Sequence, residues 1–188
     1  MSRLCVSVEA IADALRAADD DATKLVSRLT PNQADWRPSS QSWSIRQCFD
    51  HLAQTNTIFA DSLQEAVSRS KKSGGSTSQI TPGWFGSFFV AKMEPPVTTK
   101  FKNPPKVTPS ASGNIQDALA AFKKSHELVR KVLESSANVD LNRVRFRSPF
   151  LSILSFSVGT GLLTINAHDR RHIWQAERIA ALPEFPPS

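Results

Sequence analysis

The stretch HDRRHIWQAE, His168 to Glu177, decides how the chain folds. Two of only four histidines stand four residues apart in it, and on a helix that spacing places both rings on one face, about 40° apart. Outward from the pair, Gly161, Ile165, His168, His172, Gln175, Ile179 and Leu182 recur at steps of four and three, the pattern of a helix beginning near Gly159. Pro183 stops it. His168, His172 and Gln175 therefore occupy an apolar stripe where a packed helix wants leucine. Burying an unpaired imidazole costs roughly 2 kcal/mol or more, so the rings need partners. A divalent cation is the most economical one, because neutral imidazoles four apart reach one ion at about 2.0–2.1 Å. The competing reading bonds them to backbone or carboxylates, or turns the helix so that they meet water.

Three more helices precede this one. Val8, Ile11, Leu15, Ala18, Ala22, Leu25 and Leu29 form a first stripe, ended by Pro31. A second helix opens at SWSIRQ, where Ser44 and Gln47 make a capping box, and its stripe runs through Ile45, Phe49, Leu52, Asn56, Phe59, Leu63 and Ala66. A third follows Asn114, with Ile115, Leu119, Phe122, His126, Val129 and Leu133 on one face. The pattern predicts an all-α fold, a four-helix bundle with a long, partly irregular insert between helices two and three. That insert, residues 73–112, is rich in Ser, Gly and Pro and carries the aromatic run GWFGSFFV. It reads either as a lid folded back on the bundle or as a long crossover packed for stability.

Composition bounds the function. The 188 residues, 40% hydrophobic and 21% charged, fit one soluble globular domain spanning 1–188. The net charge of +6 raises the question of nucleic acid, but the cations are spread out, with short groups only at Arg69, Lys71, Lys72 and at Arg143, Arg145, Arg147, and there is no Tyr. A nucleic-acid partner is not expected. Cys5 and Cys48 are too few for a disulfide scaffold and form no CxxC motif. The first residues turn acidic at Glu9 and Asp13 before an apolar leader can form, so the expected compartment is the cytoplasm. The run from Ser148 to Ala167 is uncharged, yet Pro149, Gly159, Gly161, Asn166 and its Ser and Thr residues make it a buried loop leading into a buried helix. No membrane partner is expected.

A third metal ligand has two candidates. His51 lies two turns into the second helix at the edge of its apolar face, and His126 sits in the middle of the third helix's stripe. Spacing does not choose between them. The combination of WSIRQCFDHL with a terminal HDRRHIWQAERI resembles the DinB/YfiT-like superfamily of small four-helix bundles. The resemblance spans nearly the whole chain. It implies a metal triad of one His from the second helix and two from the fourth, falling on His51, His168 and His172. It also implies two reaction classes, hydrolysis of an amide or related bond and transfer of a low-molecular-weight thiol, and it makes a homodimer a natural assembly.

Three imidazoles on one Zn²⁺ or Ni²⁺ leave positions open for water or a small-molecule substrate. Asp169 is shorter than the Glu of HExxH and about 100° off the metal-facing line, so a general base there is doubtful. Asp50 and Asp169 read as solvated surface before they read as partners of histidine N–H groups. Gln175 reads as an orienting group or a simple interhelical hydrogen bond. Cys48, three residues before His51, reads first as a small buried hydrophobe and only second as a nucleophile or fourth ligand. Arg170 and Arg171 read as a solvated face. The alternative to an enzyme is a non-catalytic, stress-response module that holds a metal or small ligand in the same pocket.

Overall fold

Each long helix starts at a side chain that satisfies its free N–H groups. In the computed structural model, which describes residues 4–70, 75–98, 103–151 and 153–187, α1 (Val8–Val26) is capped by Ser7, α3 (Ile45–Arg69) by Ser44 with its Gln47 box, α5 (Ile115–Ser135) by Asn114 and α6 (Val158–Ala180) by Ser157. Lys71, Lys72 and Ser73 lie outside the described residues. Two boundaries differ from the sequence reading. The first helix ends at Val26, not Leu29, and Pro31 opens a short helix, α2 (Pro31–Asp35), in place of merely closing the one before it. The proline ring suits a first helical turn, where its missing N–H has no acceptor to lose, and Thr30 and Gln33 close a capping box around it.

The core divides into two apolar clusters. One gathers Leu15 of α1, Leu63 of α3, Val129 of α5 and Leu162 of α6; the other gathers Ala22, Phe49, Phe122 and Ile173 from the same four helices. The order of these contacts gives the directions. α3 and α5 both start in the second cluster and end in the first, so they run parallel, while α1 and α6 run the opposite way. A parallel pair cannot be joined by a tight turn, and α3 is 25 residues long, roughly 37 Å at 1.5 Å per residue. The chain after α3 must travel back along the molecule before α5 can begin. This is the physical reason for the long insert.

The crossover is more ordered than an irregular loop. It contains β2 (Gln79–Ile80), paired antiparallel with β1 (Val6–Ser7), and α4 (Trp84–Met93), which packs on α6 through Gly86 and Val90. A 3₁₀ turn follows at Pro105–Val107. Between α5 and α6 the strands β3 (Arg145–Arg147) and β4 (Ser155–Ser157) form a short hairpin with Phe146 opposite Phe156. Gly161 permits the hairpin to press against α6: a Cβ there would meet Leu63 Cδ2 at 2.7 Å and the Phe146 ring at 2.8 Å. Among the described residues no helix is long and apolar enough to cross a membrane.

Candidate metal centre

His51 of α3 and His168 and His172 of α6 come together between the two apolar clusters. Their ring centroids lie 5.2 Å apart for His51 and His168, 4.8 Å for His51 and His172, and 4.6 Å for His168 and His172. Although the helical wheel sets His51 at the edge of its stripe, the ring is only 5% exposed, because the crossover lies over it. Its Nδ1 donates to the Val107 carbonyl at 2.8 Å; a carbonyl only accepts, so in the neutral ring Nε2 carries a lone pair, with the Thr55 hydroxyl 3.5 Å from it. His172 Nδ1 likewise donates to Gln175 Oε1 at 2.9 Å and leaves its own Nε2 bare. His168 turns Nε2 toward His51 Nε2 at 3.4 Å, and its buried Nδ1 has no hydrogen-bond partner among the described residues.

This donor set fits a cation. One ligand nitrogen from each of the three histidines lies within 4.8 Å of the other two, and no carboxylate or thiol joins the group among the described residues. The 3.4 Å separation of the two Nε2 atoms equals the edge of a tetrahedron with metal–nitrogen bonds of about 2.0–2.1 Å. Without an ion, either tautomer of His168 leaves one of its nitrogens unpaired in the interior.

Electrostatics favour the ligating form. Burial pushes His51 below the usual imidazole range, against the Val107 hydrogen bond and the Asp50 charge, which pull upward. His168 is driven well below it, first by burial and then by His172, His51 and Arg171. His172 falls to about 3, through burial, His51 and Arg171, with the Gln175 bond opposing. The neutral rings have their lone pairs available, as metal ligation requires. Trp43 covers the ring of histidines, 4.8 Å from His51 and stacked on His172 at 5.6 Å. Its place one residue before the α3 cap was the signal that could have flagged it.

His126 has another task. Its Nδ1 donates to Asp19 Oδ1 at 2.7 Å and its Nε2 to Asp169 Oδ2 at 3.1 Å. With both nitrogens facing carboxylates both must be donors, so the ring is an imidazolium. Burial lowers its pKa, but Asp169 and Asp19 overcome that and raise it to about 9. Arg130 completes the pairing of Asp19 at 2.6 Å, and Asn56 donates to Asp169 Oδ1 at 2.8 Å. One polar layer thus links α1, α3, α5 and α6.

Several expectations are corrected here. Asp169 is 1% exposed, not solvated, because α6 is buried on nearly every side and its non-metal face meets His126 and Asn56. Arg171 is buried, not solvated, and reaches the Lys92 carbonyl; Arg170 is exposed as expected and forks onto both Glu94 oxygens, so the two fasten the end of α4 to α6. Asp50 accepts from the Ser110 amide at 2.6 Å and so pins the crossover to α3. Cys48 is fully buried in the second cluster, its thiol pushed up to about 12 by burial, which suits a hydrophobe and not a nucleophile. Gln175 holds His172 in its tautomer.

The chain belongs to the DinB superfamily, whose sequence profile matches residues 14–176. That span takes in α3 and all three clustered histidines. No curated protein and no solved structure gives a match.

Proposed function

We propose, starting from membership of the DinB superfamily, that the protein is a cytoplasmic, divalent-metal-dependent enzyme on a four-helix bundle, a hydrolase or low-molecular-weight-thiol transferase acting on a small molecule. His51, His168 and His172 hold Zn²⁺ or Ni²⁺ in this reading. The observation that carries it is the buried convergence of one nitrogen from each of the three histidines, with His51 Nε2 and His168 Nε2 at 3.4 Å and no carboxylate or thiol in the group among the described residues. A bound ion of this kind polarises a carbonyl, acidifies water or stabilises a thiolate.

The protein's own groups do the rest. The Val107 carbonyl and Gln175 fix the tautomers of His51 and His172, and Trp43 shields two of the rings from bulk water. Asp169 is engaged by His126 and Asn56, so among the described residues no carboxylate joins the histidine group as a base in the manner of HExxH enzymes. That favours the thiol-transfer branch, in which a thiol binding as thiolate would release its proton to solvent and would need no protein carboxylate to take it. The same observation favours the rival reading, a non-catalytic, stress-response module that retains a metal or small ligand.

Metal analysis of purified protein tests the shared premise: about one ion per chain is expected, lost in His51→Ala and in His168→Ala. Turnover of amide substrates, or of thiol plus electrophile, that follows metal content supports the enzyme; one bound ion with no turnover supports the module.

A further inference from the structure

Two features of the sequence have no part in the histidine ring: the aromatic run from Trp84 to Phe89 and the trio Arg143, Arg145 and Arg147. The fold joins them. Phe85 stacks on Phe156 of β4 with centroids 5.7 Å apart, and Phe89 packs on the same ring at 5.1 Å, so α4 lies against the β3–β4 hairpin. On α4 and in the turn of the hairpin it touches, five large apolar side chains stand in solvent, Trp84 at 80% and Ile153 at 90% exposed, with Phe85, Phe88 and Leu151 about half so. Trp84 and Phe88, one turn apart, stack on each other at 6.2 Å. A helix apolar on nearly all sides that buries Gly86 and Val90, packs Phe89 and Met93 on the core and leaves Trp84 and Phe88 in solvent calls for a cover on its outer face.

Charge indicates what kind. From 75 to 93 the sole charged residue is Lys92, and from 141 to 167 the only ones are Arg143, Arg145 and Arg147. Lys92 lies over the Phe88 ring at 5.7 Å, and Arg147 has no ion-pair partner among the described residues. The acids nearest in sequence are already taken, Glu94 by Arg170 and Asp140 by Arg143. The face is apolar and cationic, with no free carboxylate within these stretches. A second copy docked by two-fold symmetry would bring to the contact the same apolar groups and cations and, from these stretches, no acid to pair them. An anionic lipid surface suits both halves: the headgroup boundary accepts Trp, Phe and Ile, and the phosphates attract Lys and Arg.

We propose that the α4–hairpin face docks the protein on an anionic membrane surface, lying on the bilayer without crossing it. The sequence reading expected no membrane partner because no segment spans; interfacial docking needs none, and its residues come from two stretches that only the fold unites.

The test is co-sedimentation of the full chain with vesicles of phosphatidylcholine alone or mixed equally with phosphatidylglycerol, alongside sedimentation velocity without lipid. Wild type is expected to bind the anionic vesicles only, and less as salt rises. Arg145→Gln with Arg147→Gln should weaken binding roughly 25-fold, about fivefold per cation. Trp84→Ser with Ile153→Ser should weaken it about tenfold or more. Both pairs are exposed, and unchanged circular dichroism and metal content confirm intact folding. Failure to bind, equal binding to neutral vesicles, or indifference to either pair of substitutions overturns the proposal. So does a lipid-free dimer that Trp84→Ser with Ile153→Ser dissociates, since a second copy then covers the face.

Discussion

Raising the pH from 6.5 to 9 should strip stability from this protein through one buried ring. His126 has a folded pKa of about 9 against an ordinary 6.5, so the folded state holds a proton that the unfolded chain releases. A raised folded pKa contributes stability that is fully present below 6.5 and is lost as the pH climbs through 9. The difference corresponds to about 3 kcal/mol, most of it gone by pH 9. Other groups bound the window at each end. His51, His168 and His172 are depressed in the folded state, so their unfolded-state protons are gone only by about pH 7.5, and Cys48, raised from 9.0 to about 12, begins to subtract stability as the pH nears 9. The assay is urea unfolding of chelator-treated protein at intervals across this range, for wild type and His126→Gln. Gln cannot carry the charge, so Asp19 and Asp169 lose their shared cation; the variant should be less stable by about 3 kcal/mol near pH 6.5 and should show no fall between about pH 7.5 and 8.5, where the wild type declines. A wild-type curve that does not fall between 6.5 and 9, or a variant that keeps the slope, refutes the imidazolium assignment.

Below pH 6.5 the sign follows the metal histidines: their folded pKa values are depressed, so unfolding takes up protons and stability should fall with acidity, His172 alone acting down to about 3; acid unfolding of the metal-free protein, whose midpoint bound Zn²⁺ should shift to lower pH, checks this. Gln175→Leu removes the acceptor of His172 Nδ1 and should weaken metal binding about 10- to 100-fold without changing stoichiometry, as measured by competition with a chromophoric chelator. Gly161→Ala forces a methyl into Leu63 and Phe146 and should cost about 1–3 kcal/mol in denaturant melts.

What could be read from the chain was what repeats or caps. The stripes of α1, α3, α5 and α6 and the caps Ser44 and Asn114 are local signals, and they stand where periodicity put them. The pairing of His168 with His172 is equally local. The failures share a different origin. Asp169 and Arg171 looked solvent-facing because a helical wheel assumes one wet side, whereas α5 meets Asp169 through His126 and the end of α4 meets Arg171; Arg170 is exposed as read, with Glu94 as its partner. His51 looked marginal because its cover, Val107, is 56 residues away in sequence. α4 was hidden because a helix apolar on almost every face has no stripe to detect, and strands of two or three residues are too short to show alternation. The choice between His51 and His126 turned on Asp19 and Asp169, acids from two other helices that only tertiary structure could deliver.

His168 and Asp169 are consecutive, so one backbone segment serves two constraints at once. Turning α6 enough to spoil the imidazole cage would also drag a carboxylate off a buried cation, and the reverse holds as well. The ligands are therefore held in register by the tertiary fold itself, and an arriving ion meets a cage already assembled instead of having to recruit three mobile arms.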